Sequence, residues 1–413
     1  MAEGSSKSLT TGESIIWNSV GSFVYLLSNW LITVLVATLS SDFTASGALA
    51  VAMAVGNLVA TITLFNVRPF QVTDVESKFS TAEYAGFRLV TALIALLFGA
   101  VYMLLTVPQE NFAVVFAYIF FKLGDSSVDV LHGVDQRNNR LDVAGKSQIF
   151  RGIAILAVFI VGLTLFNSLL IAVIGMALVT FIVVAAYDVR ETGKLESIAP
   201  ALSVKSCVSM GKSCFPGFLA ALLCVFVVSY SRQAFGNICG SELLGIYAAI
   251  ATPAVVIQAF AGYVYSPLLG PIAEMWHASN KQGILKLIGR FFIYVVAAEV
   301  VCTLLFLVVG TDALSLIFGE RVRDYAMAML PVLFCTGMTA TMVFFNDLLI
   351  SFRLNAAVVV ANVVPCCVCL LSVGALVAQY GMNGVSYCII LSFAVGVVLG
   401  AFAIARGMGK WAR

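Results

Sequence analysis

Apolar residues fall in long runs separated by short polar connections. Twelve runs stand out, at 15–39, 45–68, 84–106, 111–133, 148–167, 169–189, 207–231, 243–268, 286–310, 326–350, 354–378 and 383–405. About 20 apolar residues in helical form cross a hydrocarbon core about 30 Å thick. The pattern therefore predicts an all-α integral membrane protein with twelve transmembrane helices. The connections are too short to hold a soluble domain on either side, so any chemistry belongs inside the helix bundle or at its rims.

Composition supports this class. Hydrophobic residues make up 61% of the chain and charged residues 11%, against about 25% charged in soluble domains. A net charge of +2 gives no basic surface for nucleic acid. The ten cysteines lie mostly inside apolar runs, as Cys366, Cys367 and Cys369 do, with no second cluster to complete a metal site or disulfide framework. They read as small buried side chains, and no metal or other cofactor is expected. The opening MAEGSSKSLTTGE lacks the basic start, short apolar core and small-residue cleavage site of a signal peptide.

Charge also orients the chain. With both termini inside, the inner segments carry nineteen Lys and Arg and the outer connections three, leaving Lys122 inside a span. Positive charge favours the cytoplasmic side, so both termini are expected in the cytoplasm. A missed or extra helix would scramble the alternation.

The most polar long connection lies near the chain's midpoint. Residues 190–212 read as an amphipathic cytoplasmic linker between a lobe of six helices at 1–189 and another at 213–413. Weak internal matches agree in order. Gly47 pairs with Gly245 and Pro69 with Pro267; RLD at 140–142 pairs with RLN at 353–355. Six helices per repeat give both halves the same topology, related by an axis along the membrane normal, a geometry suited to rocking around a central cavity.

Polar residues inside the runs are the candidate chemistry. Lys122, Asp125, Asp129, His132 and Gln136 recur every three or four residues and so share a helix face. Lys122 and Asp125 are spaced to pair within the helix. A charge at the centre of a membrane helix costs about 2.5–3.5 kcal/mol, and such residues face protein or a watery cavity rather than lipid. The first span carries a similar stripe of Asn18, Ser22, Tyr25, Asn29 and Thr33, and the second offers Asn57, Thr61 and Arg68. Arg232 lies near the outer end of the seventh span, and Glu299 is mid-depth in the ninth. The plainer reading is that these groups pair helix to helix and serve packing. For His132 it is a satisfied helix-end histidine. For Arg68, Arg88 and Arg151 it is positive charge at inner helix ends, and for Trp17 and Trp30 interfacial anchoring.

The segments SIIWNSVGSFVYLLSNWLITVLVA, RPFQVTDVESKFSTAEYAGFR and LHGVDQRNNRLDVAGKSQIFRG resemble bacterial Wzx-like oligosaccharide flippases, members of the multidrug/oligosaccharidyl-lipid/polysaccharide exporter superfamily. The resemblance covers nearly the whole chain and is strongest over the first 155 residues. It implies two six-helix lobes around a central cavity in the bacterial plasma membrane. The implied cargo is an undecaprenyl-diphosphate-linked oligosaccharide carried from the inner to the outer leaflet. Membrane lipid and the polysaccharide polymerase machinery would be the partners. Asn18, Ser22, Tyr25, Asn29, Asn57 and Thr61 suit sugar hydroxyls, and Arg68, Lys122 and Arg232 suit a diphosphate. The two aspartates beside Lys122 depart from a plain phosphate clamp. Asp125 and Asp129 are candidates for binding a coupling proton or sodium ion.

The alternative within the superfamily is an ion-coupled multidrug or cation antiporter, which the same aspartates suit. An enzyme acting on lipid-linked sugars is disfavoured, because neither His132 nor His277 falls in an outer loop. A scaffold needs no polar stripes.

Overall fold

The computed structural model describes residues 11–39, 43–73, 78–254, 257–258, 261 and 269–409, and every regular element among them is helical. The first half holds α1 (Thr11–Leu39), α2 (Thr44–Leu64), α3 (Val67–Thr73), α4 (Thr81–Thr106), α5 (Phe112–Ser127), α6 (Asp129–Arg137), α7 (Leu141–Thr164) and α8 (Leu169–Val183). A π-helical turn, Val184–Asp188, carries α8 into α9 (Val189–Thr192). The second half holds α10 (Val204–Cys239), α11 (Ser241–Ala251), α12 (Leu269–His277) and α13 (Lys281–Leu305). A π turn, Phe306–Gly310, then leads to α14 (Thr311–Phe318), a 3-10 stretch Glu320–Ala328, α15 (Met329–Ser351), α16 (Asn355–Tyr380) and α17 (Met382–Gly409).

Among the described residues, ten helical segments are long and apolar enough to cross a membrane. They correspond to ten of the twelve predicted spans. The other two differ from simple rods. The run at 111–133 forms α5 and α6, broken at Val128, so Asp129 opens a new helix. The run at 243–268 begins as α11, and much of its remainder lies outside the described residues, Pro267 included. The N-terminal tail, residues 1–10, also lies outside them.

Breaks between helices follow the residues that tolerate them. Gly240 and Gly381 take φ of 94° and 56° between α10 and α11 and between α16 and α17, a region open mainly to glycine. Asn139, with φ 57°, turns the chain from α6 into α7; asparagine is among the few side chains at ease there. Ser168 caps α8 by accepting from the Ile171 amide, and Asn280 caps α13 by accepting from Gly283. Of the expected 190–212 linker, Val204 onward is already the start of α10.

Contacts group the chain into two compact units that do not follow chain order. The first holds residues up to Ile32, 62–101 and 116–214; the second holds 33–61, 102–115 and 215 onward. In the first, Tyr84, Phe87, Val130, Leu131, Met210 and Cys214 form one buried cluster. In the second, the rings of Phe291 and Phe344 meet at 4.0 Å, and Phe235, Tyr247 and Phe393 are fully buried. Burial of such side chains contributes about 1.5–3 kcal/mol each when the reference is water. Within a bilayer, tight packing and hydrogen bonding carry more of the load.

Candidate functional site: a paired-charge cluster in the first unit

α1 and α7 approach until their backbones touch. A Cβ on Gly21 would overlap the Gly145 carbonyl, and one on Gly145 would overlap the Trp17 carbonyl. Small residues at such crossings let membrane helices close up. The close approach sets the polar stripe of α1 against α7. Ser22 Oγ donates to Gln148 Oε1 at 2.8 Å, and Tyr25 stands beside Arg151, whose guanidinium lies 5.1 Å from its ring centre.

Asp125, near the end of α5, is the hub of this arrangement. It accepts from Tyr25 Oη at 2.5 Å and from Arg151 Nη1 at 2.7 Å, and pairs with Lys122 Nζ at 3.5 Å. Three helices therefore converge on one carboxylate. Asp129 repeats the pattern at the head of α6. Arg68 Nη1 and Arg88 Nη2 each reach it at 3.1 Å. Arg88 also donates to the Thr63 carbonyl, and Arg68 to Gln136 Oε1 at 3.2 Å. The chain turn at Phe65 and Asn66, with φ of 46° and 54°, precedes α3 and its Arg68. Gln71 of α3 ties it to α6 by donating to the Val130 carbonyl at 3.1 Å.

Four cations thus surround two carboxylates, leaving an excess of two positive charges. Their exposure divides them. The Arg88 and Arg151 side chains are buried, at 3% and 4%, whereas Lys122 stands at 15% and Arg68 at 28%. The buried arginines are positioned to hold the carboxylates, and Lys122 and Arg68 are the more open of the four cations. Further along α6, His132 Nε2 lies 3.2 Å from Asp188, and Asp135 accepts from Thr192 at 2.9 Å. Both sit deep in the protein, and the reading of His132 as a satisfied histidine agrees with this geometry.

Not every expected residue joins the cluster. Asn29 donates to the Tyr25 carbonyl of its own helix at 2.8 Å. Asn18 Oδ1 is buried without a hydrogen-bond partner among the described residues. Asn57, Thr61 and Arg232 belong to the second unit. There Thr61 bonds the Asn57 carbonyl at 2.8 Å, and the Arg232 guanidinium lies 6.0 Å from the Tyr247 ring centre. Gln136 of the Lys122 stripe does join it, through Arg68, and three further members are Arg88, Arg151 and Gln148. A basic residue inside an apolar run was the available signal for the two arginines. Nothing in the local sequence singles out Gln148.

A second polar group straps the connection after α9 to the first unit. Glu196 accepts from Arg137 at 2.5 Å, from Asn138 at 2.6 Å and from Thr81. The Ala201 amide donates to the Ala82 carbonyl at 2.8 Å. Partial burial pushes the Glu196 carboxyl upward, but the bonds from Thr81, Asn138 and Arg137 outweigh it, and the net effect holds it below the usual carboxylate range. Among the described residues, no group of three or more His, Cys, Asp or Glu is placed to hold a metal ion.

No protein-family model and no curated protein matches this sequence. Solved structures do match in fold. One is an inward-facing multidrug resistance MATE family transporter of the MOP superfamily, with a TM-score of 0.70, 11% identity, and coverage of 96% of this chain and 99% of that one. Another is the eukaryotic MATE transporter AtDTX14, with a TM-score of 0.62, 14% identity, and coverage of 97% and 96%. A third, a MATE protein in complex with MaD3S, has a TM-score of 0.60 at 12% identity, with coverage of 97% of both chains. The chain has the all-helical fold of MATE transporters over nearly its full length.

Proposed function

We propose that this protein is a multi-pass membrane transporter that moves an amphipathic solute by alternating access. The observation that carries the reading is a charged, hydrogen-bonded cluster built inside a bundle whose fold is shared with transporters. The reading includes the lobes at 1–189 and 213–413, the linker between them, cytoplasmic termini and a bacterial plasma membrane.

For the solute, the structural neighbours favour an ion-coupled multidrug or cation antiporter, since multidrug resistance is what the first is described as serving. On this reading Asp125 or Asp129 exchanges one of its cationic partners for a proton, a sodium ion or a cationic solute.

One specific observation supports a second reading, the lipid-linked oligosaccharide flippase. Each carboxylate already has two cations, so the unspent attraction of the cluster is toward an anion. A diphosphate is such an anion, and guanidinium groups bind it with paired hydrogen bonds. Ser22, Gln148 and Asn18 would line the sugar's side. The lipid tail would stay in the bilayer.

A deletion strain separates the two. Greater susceptibility to cationic drugs, with lipid-linked oligosaccharides still reached by an impermeant reagent from outside, supports the antiporter. Completed oligosaccharide units trapped on the cytoplasmic leaflet, with drug susceptibility unchanged, support the flippase. Neither change, in a strain without a redundant transporter, would sink both.

A further inference from the structure

The second unit holds an acid that neither reading uses. Glu299 lies midway along the helical segment Lys281–Phe318, which is apolar enough to cross a membrane. It is the one charged residue between Arg290 and Asp312. Its carboxylate takes part in no hydrogen bond or ion pair among the described residues, and the hydroxyl of Thr303, one turn further on, makes no bond either. Together they face a cavity of about 240 Å³ whose other walls are Val300, Leu304, Leu330 and Phe334.

Two features make this more than a stray charge. Opposite Glu299 on α15 stands Gly337, and a Cβ there would overlap the Glu299 carboxylate. The missing side chain gives the acid a seat against the α15 backbone. The cavity is also open at its rim: Val300, Leu304 and Phe334 are 50%, 57% and 50% exposed within membrane-crossing segments. A molecule dissolved in the bilayer reaches the carboxylate without passing through the interior of the unit.

We propose that Glu299, Thr303 and Phe334 form a bilayer-facing site for lipophilic amines, in their ammonium form. An unpaired carboxylate in apolar surroundings is costly at mid-membrane, and an ammonium ion offsets that cost by a charge-assisted hydrogen bond. Thr303 accepts a second N–H. The Phe334 ring offers its negative face to the cation, and the aliphatic walls take up an alkyl chain. An anion would be repelled. A divalent cation would find one carboxylate and one hydroxyl where calcium takes about six to eight oxygens and magnesium a full octahedron. The site does not depend on which solute the first unit handles.

The full-length protein in phosphatidylcholine nanodiscs provides the test. A hydrophobic carbodiimide is added and label at Glu299 is read by peptide mass spectrometry, alone and with n-octylammonium or 1-octanol as competitor. We expect label at Glu299, a fall of about tenfold with saturating octylammonium, equivalent to about 1.4 kcal/mol, and little change with octanol. Gly337→Ala, which displaces the carboxylate, and Thr303→Val should both weaken the protection while melting normally. Failure of octylammonium to protect, equal protection by octanol, or no label in the absence of competitor would each overturn the site. If Gly337→Ala does not fold, Thr303→Val and the octanol comparison still decide.

Discussion

Gly47 of α2 and Gly245 of α11 seat reciprocally against each other's helices within the second unit. A side chain at Gly47 would overlap the Ser241 carbonyl, and one at Gly245 would overlap the Phe43 carbonyl. Ser241 lies four residues before Gly245, and Phe43 four before Gly47. Residue i meeting j's helix as j meets i's is the mark of a local two-fold relation. These are the two glycines that the internal sequence matches align.

The contact predicts matched costs. Gly47→Ala and Gly245→Ala should each destabilise the protein by about 1–3 kcal/mol, the range for overpacking a tight interface. Thermal unfolding in detergent measures both. A large loss in one and none in the other would contradict the reciprocal geometry.

Arg88 and Arg68 share Asp129 but should behave differently. Arg88 is buried and also satisfies the Thr63 carbonyl. Arg88→Ala therefore leaves a mostly buried carboxylate short of a partner and should cost about 3–5 kcal/mol. Arg68, the more open of the two, should cost less than about 1 kcal/mol when replaced by alanine, yet it should alter transport. Melting curves and a transport assay on the same preparations separate the two effects.

Asp125 distinguishes an ion-coupling role from a structural one. Asp125→Ala strands Lys122, Arg151 and Tyr25 and should cost about 3–5 kcal/mol. Asp125→Asn keeps an acceptor for Tyr25 and Arg151 but removes the charge. If Asp125 carries the coupling ion, that variant transports without responding to an imposed proton or sodium gradient. A gradient response equal to the wild type assigns the residue to structure alone.

Glu196 should make the strap after α9 sensitive to acid. Its carboxyl is held below the usual range in the folded protein. A depressed acid contributes stability that is present above the unfolded-state value, about 4.3 for glutamate, and is lost as pH falls through the folded-state value. The stability difference between wild type and Glu196→Gln should thus be constant near neutral pH and shrink below pH of about 4. Unfolding curves across that range test the sign.

Asn346 and Asn362 form a buried pair in the second unit, with reciprocal amide bonds of 3.1 and 2.7 Å. Removing one partner leaves a buried polar group unsatisfied. Asn362→Ala should cost about 1–3 kcal/mol, and the double replacement by alanine less than the sum of the two single variants. A double-mutant cycle gives the coupling directly.

The sequence alone determined the class, the count of apolar runs and the residues worth watching. Those follow from local physics: a run of some twenty apolar residues has one stable place, and a Lys or Asp inside it demands a partner. The i, i+3 pairing of Lys122 with Asp125 was legible for the same reason, because helix geometry fixes it. Tertiary structure decided everything that depended on a second helix. Tyr25 of α1 and Arg151 of α7 meet on Asp125 from two helices that Gly21 and Gly145 let close against each other. Arg68 and Arg88, twenty residues apart, meet on Asp129 only because α3 and α4 both pack beside α6. The hydrophobic pattern runs straight through the break at Val128 and does not announce it. Nothing in the order of residues announces these crossings, since the energy of an ion pair inside a membrane depends on which distant helix brings the opposite charge.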